Sequence, residues 1–309
     1  MMISPPTRRA FLMGAAALSL PLPVRAQAYQ PGGTLSVVKF DRPGDASVNS
    51  YILIGPRTQV ILDCQRTAVE ARQLVAMARG LDLPVEAIVL SHEHPDHVGG
   101  AQVVRDAFPD AALLASETTH AAIRRDGAAM MAEMKRFFGP VMPDAVPIPT
   151  RILRPGERLR LADVEWQVDQ LGPCEAAGMT MLHAEAQGIL FAADLVGNRV
   201  TPWLVDGHTT AWLGELAAAR QRYASVDLAL PGHGSAAPMV ALIDEQRAYL
   251  ESFRAEVMAT IGTAKPTPEA LSAIRSKTES RYPGYPKVAP PPDLIERNAN
   301  AVAAELARR

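Results

Sequence analysis

The segment that most restricts what this chain can fold into is Ser91-His92-Glu93-His94-Pro95-Asp96-His97-Val98-Gly99-Gly100. It is reached through the largely apolar run Val85–Leu90, whose abrupt end suits a strand buried on both faces. Three imidazoles and a carboxylate therefore crowd into six positions at a strand end. Neutral imidazole and carboxylate oxygen are the natural ligands of zinc-like ions. Alternate residues of an extended stretch share a side, so His92 and His94 can hold one ion, and Asp96 and His97, past Pro95, can face a second. A polar loop that merely caps the next helix has no need of three histidines at this spacing.

The rest of the chain alternates strand-like and helix-like patterns, as an α/β domain requires. Strands are expected at Thr34–Phe40, Ser50–Ile54, Gln59–Leu62, Val85–Leu90, Leu113–Ala115, Val164–Leu171, Met179–His183, Ile189–Ala193 and Val226–Leu230. Helical spacing marks Val69–Arg79, 101–108, 210–223, Val240–Ile261 and Pro268–Lys277, with Asp293 expected to cap a last helix ending near Arg308. Residues 116–150 read as an inserted region whose Met130, Met131, Met134, Phe137 and Phe138 make one apolar helical face. No internal repeat is present.

Residues 1–28 read as an address. Arg8 and Arg9 precede an apolar stretch from Phe11 to Leu22 that is short for a bilayer span and interrupted by Gly14 and Pro21. Thr7-Arg8-Arg9-Ala10-Phe11-Leu12 resembles a twin-arginine export signal, with cleavage expected after Ala26 or Ala28. The expected organisation is a leader over 1–28, a catalytic domain over 29–240 and C-terminal helices over 241–309 packed on the same domain. This organisation implies a periplasmic protein, not membrane-spanning when mature. Lys and Arg total 31 against 33 Asp and Glu, so the basic excess of a nucleic-acid reader is missing. Two cysteines, Cys64 and Cys174, cannot build a disulfide framework; they can pair with each other, leave Cys174 as a metal-bound thiolate, or stay as two buried thiols.

The string His92-x-His94-x-Asp96-His97 resembles the hallmark of the metallo-β-lactamase superfamily, and the resemblance runs from about Thr34 to Gly234. Ile61-Leu62-Asp63-Cys64 resembles the strand end that precedes the family's metal loop, which makes Asp63 a residue that orients a ligand from behind. Phe191-Ala192-Ala193-Asp194 resembles the strand carrying the bridging aspartate, and Pro231-Gly232-His233-Gly234 the last ligand motif. The resemblance implies an αββα sandwich with a metal pair at one edge. It also implies a metal-activated water that attacks a carbonyl, with Asp96 as both ligand and water-orienting residue, and zinc as the usual ion.

One motif departs from the family pattern. Its Gly-His-x-x-Gly loop corresponds here to Gly172-Pro173-Cys174-Glu175-Ala176-Ala177-Gly178, which puts Glu175 where the third histidine of the first site is expected. Glu175 can supply an oxygen ligand, leave the first site weak, or mark a degenerate centre. A carboxylate there makes the site harder and more open to manganese or iron. His183 is expected to be structural, and Glu93 to point to solvent. Trp203, His208 and Trp212 follow the Asp194 strand and can line a substrate pocket or pack in the core.

These residues imply a periplasmic hydrolase of an ester, thioester, lactone or amide of small-molecule size. The run Asn198-Arg199-Val200-Thr201-Pro202-Trp203 and its neighbours resemble exported members found beside quinoprotein dehydrogenases, which implies a periplasmic redox partner. The alternative is a weakly active or non-catalytic metal-binding accessory of such a system. Sulfur dioxygenase and β-lactamase chemistry fit less well, since both call on the missing histidine.

Overall fold

The computed structural model describes residues 25–31, 33–262 and 264–308. The arginine pair and the apolar stretch of the expected leader lie outside the described residues. Arg25–Tyr29 form the strand β1, so both expected cleavage points, and the boundary at residue 28, fall inside a paired strand.

One sheet has seven strands in sequence order: β1, β2 (Ser36–Asp41), β3 (Ser50–Ile54), β4 (Gln59–Leu62), β5 (Val85–Val89), β6 (Ala112–Ser116) and β7 (Arg151–Leu153). β1 to β4 are antiparallel, and β4 to β7 are parallel. The parallel strands are joined by α1 (Ala68–Arg79), by α2 (Pro95–Val98) with α3 (Ala101–Ala107), and by α4 (Glu117–Phe138). The second sheet runs β12-β11-β10-β9-β8, from β8 (Arg158–Leu161), β9 (Val164–Leu171), β10 (Met179–Ala184), β11 (Ile189–Gly197) and β12 (Leu228–His233). α5 (Thr209–Arg222), α6 (Met239–Thr260), α7 (Pro268–Arg281) and α8 (Leu294–Leu306) complete the described chain.

The period-two rule divides the first sheet between two cores. Tyr51, Leu53, Val60, Leu62 and Val89 face the second sheet and meet Trp166, Val168, Met181 and Phe191 in one cluster. Ile52, Ile61, Ile88 and Leu113 face the other way, against Leu74, Val104, Ile123 and Met131 of α1, α3 and α4. Residues of α5 to α8 join the first cluster from the far side. This is the expected αββα sandwich, with the C-terminal helices seated on the same core.

Some local expectations need correction. Phe137 is 69% exposed, so the apolar stripe of α4 packs through Met131 and, partly buried, Met130, Met134 and Phe138. Asp293 holds the N-cap position of α8 but makes no cap bond; its carboxylate accepts from Arg297 instead, at 2.9 Å. Cys64 and Cys174 are free and buried in different clusters, so they do not pair.

The loop between β11 and α5, residues 198–208, is anchored by α8. Asn298 accepts from Leu204 N and donates to Pro202 O, at 2.9 and 2.8 Å. His208, at the N-cap position of α5, offers no side-chain cap, and Glu305 of α8 substitutes for it by accepting from Thr209 N and Thr210 N at 3.0 and 2.8 Å.

Candidate metal centre

The centre is assembled where β4, β5, β11 and β12 end. After β4 the chain turns at Asp63, a buried residue with φ of 58°. The Asp63 loop then lies flat on the start of α3, with Cys64 N donating to His97 O and Gly100 N to Gln65 O at 2.7 and 2.8 Å. A Cβ at Gly99 or Gly100 would collide with Arg66 O or Cys64 O, which explains the glycine pair after the histidines.

That contact brings the Asp63 carboxylate under the histidine string. It accepts from Ser91 N and Ser91 Oγ at 2.8 Å and from His97 Nδ1 at 2.7 Å. Ser91 Oγ, its proton given to Asp63, lies 2.9 Å from His92 Nδ1 and can only accept there. On β12, His233 Nδ1 donates to the Ser47 carbonyl at 2.6 Å. The Nδ1 atoms of His92, His97 and His233 are thus all committed outward, and each Nε2 is turned inward.

The three Nε2 atoms surround Asp194. Oδ2 of Asp194 stands 3.1 Å from His97 Nε2, 3.2 Å from His233 Nε2 and 3.8 Å from His92 Nε2. Asp96 Oδ2 lies 3.4 Å from His233 Nε2 and 3.8 Å from His97 Nε2. Two overlapping triads result, His92/His97/Asp194 and Asp96/His97/His233, each with donor atoms within 4.8 Å of one another. Asp194 is aimed by an irregularity: β11 slips register against β12 on both sides of Ala193, whose φ is 44°. A Cβ at Gly232 would overlap Asp194 Oδ1 and reach 3.0 Å from His97 Cε1, so the β12 backbone approaches the carboxylate as only glycine allows.

The donor set fits a divalent cation. His92 Nε2, His233 Nε2 and Asp194 Oδ1 are buried and make no hydrogen bond, a costly state for three polar atoms at one point unless a cation lies among them. With protein groups alone, the charges show the same pressure. Burial works against charging His97 and His233, yet Asp194 and Asp96 overcome it, raising His97 well above its usual range and His233 to about 9. His92, desolvated by burial and beside His97 and His94, is pushed down. Burial also opposes ionisation of Asp96 and Asp194, but the imidazoles, with Arg66 for Asp96, hold both low.

The other expected ligands are placed differently. Glu175 is 4% exposed in the loop between β9 and β10. Burial and the nearby Asp194 and Asp96 charges raise its carboxyl well above the usual range. Cys174 beside it is a thiol, pushed up to about 12 by burial. His94 stands outside both triads: its Nε2 faces Asp206 Oδ2 at 3.3 Å, though its ring remains 4.7 Å from that of His92. Trp203 Nε1 donates to the other Asp206 oxygen at 3.4 Å, and the Trp203 ring is 6.3 Å from His94. Trp203 therefore borders the centre, with His208 near Asp206. Trp212 is core, donating Nε1 to Leu195 O at 2.9 Å. Glu93 is half-buried rather than free in solvent, with Oε2 enclosed and unpartnered. His183 packs on Tyr223 at 5.4 Å, the structural place expected of it.

Arg66 was not foreseen. It is 3% exposed, and its Nη2 reaches Asp96 Oδ2 at 3.3 Å, Ala46 O at 3.2 Å and Val288 O at 3.0 Å. One guanidinium thereby ties a candidate ligand to the loop before β3 and to the connector before α8. No local pattern announces it, because its partners lie 20 to 222 residues away.

The family model for the metallo-β-lactamase superfamily matches residues 43–233. The chain is 26% identical over 246 residues to a hydroxyacylglutathione hydrolase of Xanthomonas axonopodis pv. citri (strain 306), across 77% of this chain and 82% of that protein. Among solved structures it is similar to a beta-lactamase domain protein from Burkholderia ambifaria, with a TM-score of 0.65, 18% identity and coverage of 90% and 88%. It is also similar to a metallo-beta-lactamase family protein from Thermus thermophilus, with a TM-score of 0.64, 21% identity and coverage of 85% and 88%.

Proposed function

Since the chain belongs to the metallo-β-lactamase superfamily, whose members are mostly metal-dependent hydrolases, we propose that it hydrolyses an ester, thioester, lactone or amide carbonyl. The observation that carries this reading is the inward convergence of three imidazole Nε2 atoms on Asp194 with every Nδ1 already committed. Asp96, His97 and His233 would hold one divalent ion and His92, His94 and Glu175 another, with Asp194 between them. Bound ions of this kind lower the pKa of water to about 7 and stabilise a developing oxyanion. The protein's own part is to turn each Nε2 inward by engaging Nδ1, to orient Asp96 through Arg66, and to present Trp203 at the rim. Zinc is the ion this donor set suits first; the Glu175 oxygen admits manganese or iron.

Thioester cleavage is the first substrate class to test, given the hydroxyacylglutathione hydrolase relative. The twin-arginine-like Thr7–Leu12 supports export to the periplasm. Cleavage after Ala26 or Ala28 would make Gln27 or Tyr29 the first residue and shorten β1. N-terminal sequencing of protein recovered from the periplasm tests both points, and intact leader in the cytoplasm overturns them. The resemblance around Asn198–Trp203 supports a quinoprotein system as the cellular setting.

Elemental analysis of the protein as purified, beside Glu175→Ala, tests the centre. Two ions per chain falling to one support the two-site reading. One ion, unchanged in the variant, overturns it and favours the metal-binding accessory. The engagement of His94 with Asp206, rather than with the triads, favours that second reading. A survey of esters, thioesters and lactones without turnover in metal-replete protein would establish it.

A further inference from the structure

A cavity of about 540 Å³ lies behind His233, walled by Gln27 of β1, Lys39 and Asp41 of β2, the 43–47 loop, Asn198, Gly234 and Lys287. Its size is that of a small-ligand site. Lys39, 4% exposed, is already satisfied: its ammonium donates to Asp41 Oδ2 at 3.0 Å and to Gly234 O at 3.4 Å. Asp41, 9% exposed, is only half used. Its Oδ1 is buried and accepts no hydrogen bond from the described side chains. An ionised carboxylate oxygen left this way costs about 1–3 kcal/mol, so a donor brought to it is rewarded. On another wall of the cavity, the backbone N of Lys287 donates to Asp45 Oδ1 at 2.9 Å, while its ammonium has no carboxylate partner among the described residues.

One cavity thus offers a carboxylate oxygen that still lacks a donor and an ammonium that lacks a carboxylate. We propose that it binds a small zwitterion of the α-amino-acid type, with its ammonium on Asp41 and its carboxylate on Lys287. A simple anion would leave Asp41 Oδ1 without a donor; a simple cation would leave the Lys287 ammonium without a counter-charge. The site is separate from the metal centre but shares its supports. Ser47, whose carbonyl fixes His233 Nδ1, and Val288, whose carbonyl fixes Arg66, both line it.

Calorimetric titration of the metal-loaded chain with glycine, L-alanine, methylammonium and acetate tests the proposal. Glycine and L-alanine should bind saturably, and the two single-charge probes about tenfold or more weaker. Asp41→Asn and Lys287→Met should each weaken glycine about tenfold. Lys287→Met leaves the Lys39–Asp41 pair intact, so it decides the matter even where Asp41→Asn folds poorly. No saturable heat from either amino acid at millimolar concentration overturns the proposal. So does equal binding of methylammonium or acetate. Glycine binding that both variants retain assigns the ligand to the metals and overturns it as well.

Discussion

On one side of Asp194, the rings of His92, His97 and His233 are each fixed by a bond at Nδ1, to Ser91, Asp63 and the Ser47 carbonyl. On the other side, His94 leans toward a partly exposed Asp206, and Glu175 occupies a loop position where burial and the Asp194 and Asp96 charges push its carboxyl upward. The first half is oriented before any ligand arrives; in the second, His94 must leave Asp206 to take part, and burial disfavours the charged form of Glu175. The contrast shows that preorganisation in this centre belongs to partners of the donor atoms as much as to the donors themselves.

The sharpest way to break the contrast is Gly232→Ala. The new methyl needs the space of Asp194 Oδ1, so the fixed half should lose its ions and activity, with about 1–3 kcal/mol of stability lost to overpacking. Elemental analysis and thermal unfolding check it, and an alanine variant with full metal content would sink the steric account.

Next comes pH, in protein stripped of metal by a chelator. His233 rises from 6.5 to about 9 on folding, because the Asp194 and Asp96 charges overcome burial. A raised folded value stabilises fully below about 6.5 and is lost as pH climbs through about 9, a contribution of about 3 kcal/mol. Unfolding midpoints should therefore fall over that alkaline window. A level profile there would mean that the carboxylates do not hold a charged His233.

Asp63→Asn should lower metal affinity about 10- to 100-fold, since its amide nitrogen must face either the Ser91 N–H or the Ser91 hydroxyl and His97 ring, donors that the two carboxylate oxygens now accept. Competition with a chromophoric chelator measures it; unchanged affinity would show that His97 needs no orientation. Glu175→His should strengthen the adaptable half by a smaller factor, read as tighter binding of the weaker ion. The least effect belongs to Asp206→Asn, which releases His94 and should tighten the same ion only a few-fold. Weaker binding in that variant would make Asp206 a supporting residue, not a competitor.

The sequence carried the fixed half well. The ends of β3, β4 and β9 fall where expected, because a buried strand flanked by turn residues leaves a sharp trace. His92, Asp96, His97, Asp194 and His233 meet as the motifs imply. β8 escaped notice although Arg158-Leu159-Arg160-Leu161 alternates plainly; four residues are too short a window to stand out. β1 was hidden by the leader-like composition around it, and the Asp194 bulge by its dependence on the neighbouring strand's register. Asp206 and Arg66 left no trace at all, since their roles come from contacts across the fold. Glu175 was legible as a departure, but the upward push on its carboxyl follows from burial and the surrounding carboxylates, which no local pattern carries.

The reliance of the 198–208 loop on Asn298 and Glu305 has a consequence in time. The N-terminus of α5 and the loop that bears Trp203 and Asp206 receive their anchors from α8, which is synthesised after every strand of both sheets. A growing chain can pack both sheets and bring His92, His97, Asp194 and His233 together while the rim beside His94 still lacks its fastening. Maturation of this protein should therefore run from the interior of the centre outward to its mouth, with recognition the final property to be acquired.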